Sequence, residues 1–173
     1  MITVPRMRVL AVDPSLRSSG FAVVETAGRG FRAVEFGVIK NKPALLPSGC
    51  LVAIRERLAD LIQQHQPDAA VVEGIIFVQS HRIAITMGAA RAAAIIAFAE
   101  RGLPVYEYAP RRVKQAVTGR GTAGKNQVGF MVRVMLGLTE NPPPDAADAI
   151  AIALTYLQAQ NAVAQGVNAP ERI

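Results

Sequence analysis

Cysteine and histidine are almost missing from this chain: among 173 residues there is one cysteine, Cys50, there are two histidines, and there is no tryptophan. A lone cysteine forms no internal disulfide, which fits a reducing compartment. So few thiols and imidazoles exclude a zinc site of the usual Cys/His type. No uninterrupted apolar run reaches the roughly 18–20 residues that a membrane span needs. The opening "MITVPRMRVLAVD" lacks a long apolar stretch ahead of a small-residue cleavage site, so no signal peptide is expected. Nucleophile-elbow serines, a Walker lysine loop and a dinucleotide fingerprint are all absent. Internal repeats and low-complexity blocks are absent too.

Acidic residues vanish from one long window. Nothing between Glu107 and Glu140 is acidic, yet that window holds Arg111, Arg112, Lys114, Arg120, Lys125 and Arg133. The net charge of +6 is therefore unevenly spread, and the Gly-bearing loop "TGRGTAGKNQ" lies inside the uncompensated part. Such a segment reads as a phosphate-facing surface, with a solvated helix face as the plainer alternative. Hydrophobic residues at 51% and charged residues at 18% place the chain among globular proteins. Its length favours one domain with one filled core, expected over residues 1–160, with a frayed tail over 161–173.

The apolar periodicity predicts strands over 7–13, 20–25 and 31–40, then an amphipathic helix over 48–66 with Ser48 as its capping candidate. A fourth strand at 68–73, an Ala-rich helix at 81–102 and a fifth strand at 103–109 follow. Helices at 110–117, 124–137 and 144–160 complete the order. Short turns make the first three strands an antiparallel meander, whereas the 48–66 helix is long enough to cross over to a parallel fourth strand. The expected fold is α/β: a mixed five-stranded sheet with helices on both faces.

Two of these strands end on a carboxylate. "RVLAVDP" stops at Asp13 and "DAAVVEG" stops at Glu73. If the two strands are parallel neighbours, both acids lie at the sheet edge where open α/β sheets bind ligands. Unpaired carboxylates that close repel, and a divalent cation between them removes the conflict. Taken singly, each also fits a turn cap or an ion pair with arginine. In "NPPPDAADAIAIAL", Pro144 opens a helix and Asp145 and Asp148 fall on one face, which continues as Ala149 and Ile152. An acidic first turn that complements the helix dipole explains the charge. It does not explain why the acidic face runs on as the core face. Hard oxygen donors at three separate chain positions suit Mg2+ or Mn2+ and metal-assisted phosphodiester hydrolysis.

The stretches "LAVDPSLRSSGFAVVE", "VVEGIIF", "MGAARAAAI", "VYEYAPRRVKQAVTGRGTAGKNQV" and "NPPPDAADAIAIAL" occur together in this order. The chain thereby resembles the RuvC family of Holliday junction resolvases, of ribonuclease H-like fold, from residue 7 to about 157. The resemblance implies a catalytic and metal-binding set of Asp13, Glu73, Asp145 and Asp148, the four acids that spacing selects, and two Mg2+ or Mn2+ ions per site. It implies that Lys114 and Lys125 lie near the cleaved phosphate; Arg111, Arg112 and Arg120 of the acid-free window, and Arg82 in the loop after Glu73, are further candidate DNA contacts on their charge and position. It also implies a homodimer that cuts four-way junction DNA symmetrically, works with the RuvA–RuvB branch-migration complex and acts in the bacterial cytoplasm at the nucleoid, away from any membrane. The Ala-rich helix, over 83–101, is the candidate dimer face. Two positions depart from the family pattern: Ser15 stands where glycine is common, and Ile76 stands where an aromatic wedges between bases. Phe77, one residue on, is the candidate to stack instead.

Three other readings stay open at this point. They are an ATPase of the actin-like superfamily, a junction-binding module without activity, and a nuclease of the same fold acting on other branched DNA or RNA.

Overall fold

The computed structural model describes residues 6–76, 78, 80–163 and 170–173. Along the chain lie β1 (Arg8–Asp13), β2 (Ser18–Ala27), β3 (Gly30–Lys40), α1 (Pro47–His65), β4 (Ala69–Glu73), α2 (His81–Ala99), β5 (Val105–Tyr108), α3 (Pro110–Thr118), α4 (Lys125–Leu136) and α5 (Pro144–Val163). The strands form one sheet in the order β3-β2-β1-β4-β5. The β1–β2 and β2–β3 pairs are antiparallel, and β4 runs parallel to both β1 and β5. This is the mixed α/β architecture that the meander and crossover lengths predict.

Strands β1 and β4 are central and covered on both faces, so their sequences are continuous apolar runs rather than alternating ones. Leu10, Val12, Ala70 and Val72 face one layer, where Ile54, Leu58 and Leu61 of α1 meet Ala90, Ala94 and Phe98 of α2. Val9, Ala11, Ala69 and Val71 face the other, built from α3, α4 and α5. Helix α5 has little amphipathic character because it is buried almost all round, from Ala146 through Leu157.

Four details differ from expectation. Ser48 is not the cap of α1: Leu46 holds that position and Pro47 starts the helix, where its missing N–H costs nothing. Helix α2 is long and apolar enough, by length and composition alone, to cross a bilayer. Its face of Ala90, Ala93, Ala94 and Ala97 is nevertheless core, and Arg91 in its middle forms an ion pair with Glu107. Helix α5 runs on to Val163, three residues beyond its expected end. The tail is tied down at its end: Arg172 bridges to Tyr106, and the Ile173 N–H donates to the Val105 carbonyl. The rest of it, 164–169, lies outside the described residues.

One contact fixes α5 against the sheet. Gly20 of β2, which pairs with Asp13 in register, lies directly under the first turn of α5. A Cβ on Gly20 would stand 1.8 Å from the Asp145 carbonyl oxygen. Only a residue without a side chain lets the helix start this low. Gly20→Ala is expected to cost about 1–3 kcal/mol by overpacking, read as a lower urea midpoint. An unchanged midpoint would mean that α5 does not rest on β2 at this point.

Candidate active site

Parallel register places Val12 opposite Val72, so Asp13 and Glu73 are the next residues of neighbouring strands. Side chains alternate along a strand, and Val12 and Val72 both point to the α1–α2 layer. Asp13 and Glu73 therefore both point the other way, toward α5. Their carboxyl groups come within hydrogen-bonding reach of each other. Burial is the first reason that both acids titrate high. Asp13 is pushed up to about 6, opposed by that hydrogen bond and by Lys125, and reinforced by the charges of Asp148 and Asp145. Glu73 rises to about 8, with the charge of Asp13, the hydrogen bond between the two carboxyls and the charge of Asp148 adding to burial, and Lys114 opposing. Without a cation the pair thus holds a proton at neutral pH. Burial also raises Asp148; Asp145 adds to this, while Lys125 and Lys114 oppose it.

Asp13, Glu73 and Asp148 line one cleft of about 450 Å³ together with Lys114 and Lys125. Its remaining walls include Ile83 and Met87 of α2 and Val128 of α4. Lys125 Nζ lies 3.8 Å from an Asp148 carboxylate oxygen and is otherwise largely exposed, free to turn toward a ligand. Asp145 stands one step aside and accepts a 2.6 Å hydrogen bond from Ser18 Oγ. Ser18 is a neighbour that sequence reasoning missed; no local pattern marks it, because the partners are 127 residues apart. At the expected departure, Ser15, the turn is closed by two reciprocal bonds. The Ser15 N–H donates to Ser19 Oγ at 2.9 Å, and that hydroxyl donates to the Ser15 carbonyl at 2.6 Å.

The donor chemistry fits a hard divalent cation: oxygens only, partly buried, and in mutual conflict unless neutralised. Among the described residues, no three acids, histidines or cysteines converge as a finished coordination shell. The other buried acid shows the alternative that this site avoids. Glu25 is also buried, but Arg6, Arg8 and Arg32 all donate to it. Burial alone would raise it; the bonds from Arg32, Arg8 and Arg6 outweigh that and hold it at about 2. Its contribution to stability is complete above the usual carboxylate range and lost only as pH falls through about 2. Among the described residues no arginine donates to the strand-end acids in this way.

The other candidates scatter. Arg111 and Arg112 are exposed on α3, and the Arg111 side chain packs over Gly121. Arg120 lines a separate cavity of about 380 Å³ with Asn126, Gln127 and the half-exposed Phe130. Arg82 lines a third, of about 290 Å³, with Ser15, Arg17 and Met87. The last opens beside the main cleft, since Ser15, Ile83 and Met87 border both. Ile76 is 65% exposed, so the position where the family pattern has an aromatic faces solvent. Phe77 lies outside the described residues.

A carboxyl whose folded pKa is raised holds its proton in the folded state longer than in the unfolded one. Stability therefore falls as pH rises, here from the usual carboxylate range up to about 8. Metal-free protein is expected to melt lower at pH 8 than at pH 5.5, with Mg2+ or Mn2+ reversing the loss. Asp13→Asn is expected to raise the metal-free melting temperature at pH 8 by roughly 2–4 °C per kcal/mol of conflict relieved. Scanning calorimetry checks both; a lower melting temperature for Asp13→Asn would contradict the assigned repulsion.

Comparison with known proteins gives this geometry a context. Residues 9–156 match the family model of crossover junction endodeoxyribonuclease RuvC. A curated RuvC from Akkermansia muciniphila is 54% identical over 151 residues, 87% of this chain and 90% of that protein. One from Pelotomaculum thermopropionicum is 44% identical over the same length. Among solved structures, Thermus thermophilus RuvC in complex with a Holliday junction substrate superimposes with a TM-score of 0.85 at 35% identity, covering 95% of this chain and 99% of that one. The yeast mitochondrial Holliday junction resolvase shares the fold, with a TM-score of 0.64 at 12% identity. A five-stranded mixed sheet, a strand-end acid pair and these matches along nearly the whole length place the chain in the RuvC family of crossover junction endodeoxyribonucleases.

Proposed function

We propose that this chain resolves four-way DNA junctions by divalent-metal-assisted hydrolysis, with Asp13, Glu73, Asp145 and Asp148 as its catalytic acids. The observation that carries the reading is the Asp13–Glu73 pair, facing Asp148, Lys114 and Lys125 around one cleft. These acids would hold two Mg2+ or Mn2+ ions, which when bound activate water and offset charge at the attacked phosphate. Lys114 and Lys125, which line the same cleft, bind and orient the phosphate. Ile83, Met87 and Val128 form an apolar wall that limits water around it. Ser18 sets the rotamer of Asp145 through their short hydrogen bond. Arg111, Arg112, Arg120 and Arg82 extend the basic surface along DNA strands that leave the cleft.

Symmetric incision needs two sites related by a two-fold axis, and α2 supports a second copy docking there. Ile85 and Ile96, eleven positions and so about three turns apart on one face of that helix, are 73% and 48% exposed. In the bacterial cytoplasm the dimer would act on junctions handed over by RuvA–RuvB. Light scattering at micromolar concentration is expected to give a dimer mass; a monomer mass contradicts this part of the reading.

Asp13→Asn and Asp148→Asn are each expected to slow cleavage of a synthetic four-way junction by about 100-fold or more, since each removes several kcal/mol of transition-state stabilisation. Junction affinity, measured in EDTA, should stay within about two-fold, because the lost groups do not attract phosphate. Full cleavage by either variant would show that the acids are wrongly assigned. A wild-type protein that binds the junction with Mn2+ and never cuts it would favour a binding module without activity.

A further inference from the structure

On the far side of the sheet from the carboxylate cleft, a second acid sits beneath the turn that follows Glu73. Glu107 of β5 pairs in register with Val72 and so points into the α1–α2 layer, away from Asp13 and Glu73. Arg91 of α2 donates to one of its oxygens, Oε2. The rest of the carboxyl group lies flat against Gly74. A Cβ on Gly74 would stand 3.1 Å from the Glu107 carboxyl carbon and 3.1 Å from Oε1. From the other direction, the Gly74 N–H donates to the Tyr108 carbonyl at 2.9 Å. Gly74 is buried, and its φ is ordinary. Backbone conformation therefore does not require glycine here; a side chain would instead press on Glu107, which would have to give by a few tenths of an ångström.

The arrangement has more in it than a tie between two elements. Glu107 and Arg91 are about a third and a quarter exposed, so as an isolated ion pair they would add little stability. A neutral side chain could fill the space under Gly74 without needing an arginine. An acid in that position, next to a strand end already crowded with carboxylates, calls for a cation to neutralise it, and Arg91 supplies one. Held by Arg91, the carboxyl group lies against the residue that follows Glu73. The peptide that joins Glu73 to Gly74 sets the direction in which Glu73 leaves β4.

We propose that Arg91 and Glu107 are positioning residues for Glu73: the pair holds the Glu73–Gly74 turn from below and ties it to helix α2. The proposal rests on the reading of Glu73 as a catalytic acid. It makes α2 a structural route between the face on which a second copy would dock and the carboxylate cleft. Loosening the pair lets the turn shift, and a shift of about 1 Å at a catalytic group can cost about 100-fold in rate without touching the substrate.

The test uses full-length Arg91→Ala, Arg91→Lys, Gly74→Ala and the Arg91→Ala/Gly74→Ala double variant. Single-turnover cleavage of a synthetic four-way junction is measured at saturating enzyme with Mn2+, and junction affinity is measured in EDTA. Melting curves identify folded variants, and amide exchange at Gly74 reports the turn itself. Expected are a fall of about 10–100-fold in the saturated rate for Arg91→Ala and for Gly74→Ala, with affinity within about two-fold. Arg91→Lys should recover most of the rate, and the double variant should be no slower than the slower single one, because both break the same clamp. Gly74 exchange should quicken in Arg91→Ala while the melting temperature changes little. Saturated rates within two-fold of wild type in folded variants, affinity lost in proportion to rate, or unchanged Gly74 exchange would each overturn the proposal and leave the nuclease reading intact. Wild-type protein that leaves the junction uncut would instead overturn that reading, and the positioning role with it.

Discussion

Asp13 and Glu73 terminate adjacent parallel strands, point to the same side and are too close for both to carry charge out of water. Burial, together with the charge each feels from its acidic neighbours, pushes Asp13 up to about 6 and Glu73 up to about 8. Such a pair opposes folding unless something positive is expected there. Among the described residues neither Lys114 nor Lys125 forms an ion pair with either acid; Lys125 stands 3.8 Å from Asp148. The fold thus carries an electrostatic debt at the sheet edge that a divalent cation is suited to cancel. Glu25, buried and held by three guanidinium groups, shows that the same chain can neutralise an acid permanently where no ligand is required.

The scaffold serves to keep that conflict in place. Crossover through α1 makes β4 parallel to β1, which sets the two carboxylates side by side. Gly20 lets the first turn of α5 settle onto β2, bringing Asp148 to the same cleft and Asp145 to its hydrogen bond with Ser18. Small residues along α5, among them Ala146, Ala147 and Ala149, are buried against the sheet and leave no bulk to hold the helix away. On the opposite face, Arg91 and Glu107 support the residue after Glu73. Stability is spent at the cleft and recovered in the two apolar layers on either side of the sheet.

Much of this was legible in the residues. The antiparallel meander and the parallel placement of β4 beside β1 followed from turn and crossover lengths, and the shared face of Asp145 and Asp148 with Ala149 and Ile152 followed from helical spacing. What sequence could not give was contact between distant chain positions. The 1.8 Å approach of α5 to Gly20, the Ser18 bond to Asp145 and the seat of Gly74 on Glu107 all join residues with no local pattern to link them. Ser48 failed as a cap because proline at the next-earlier position, Pro47, already starts the helix. The acid-free window told where the cations lie in the chain but not which way they face. Lys114 and Lys125 reach the cleft, whereas Arg111 and Arg112 stay on the outer side of α3 and Arg120 lines another cavity. Charge in a segment of two helices and a loop does not specify a direction.

The most direct measurement of the central claim is titration of Mn2+ into metal-free protein at pH 7, by calorimetry in buffers of different ionisation enthalpy. A cation that displaces the proton held between Asp13 and Glu73 should release about one proton per site filled. Cation binding with no proton release, or no binding at millimolar Mn2+, would contradict the account.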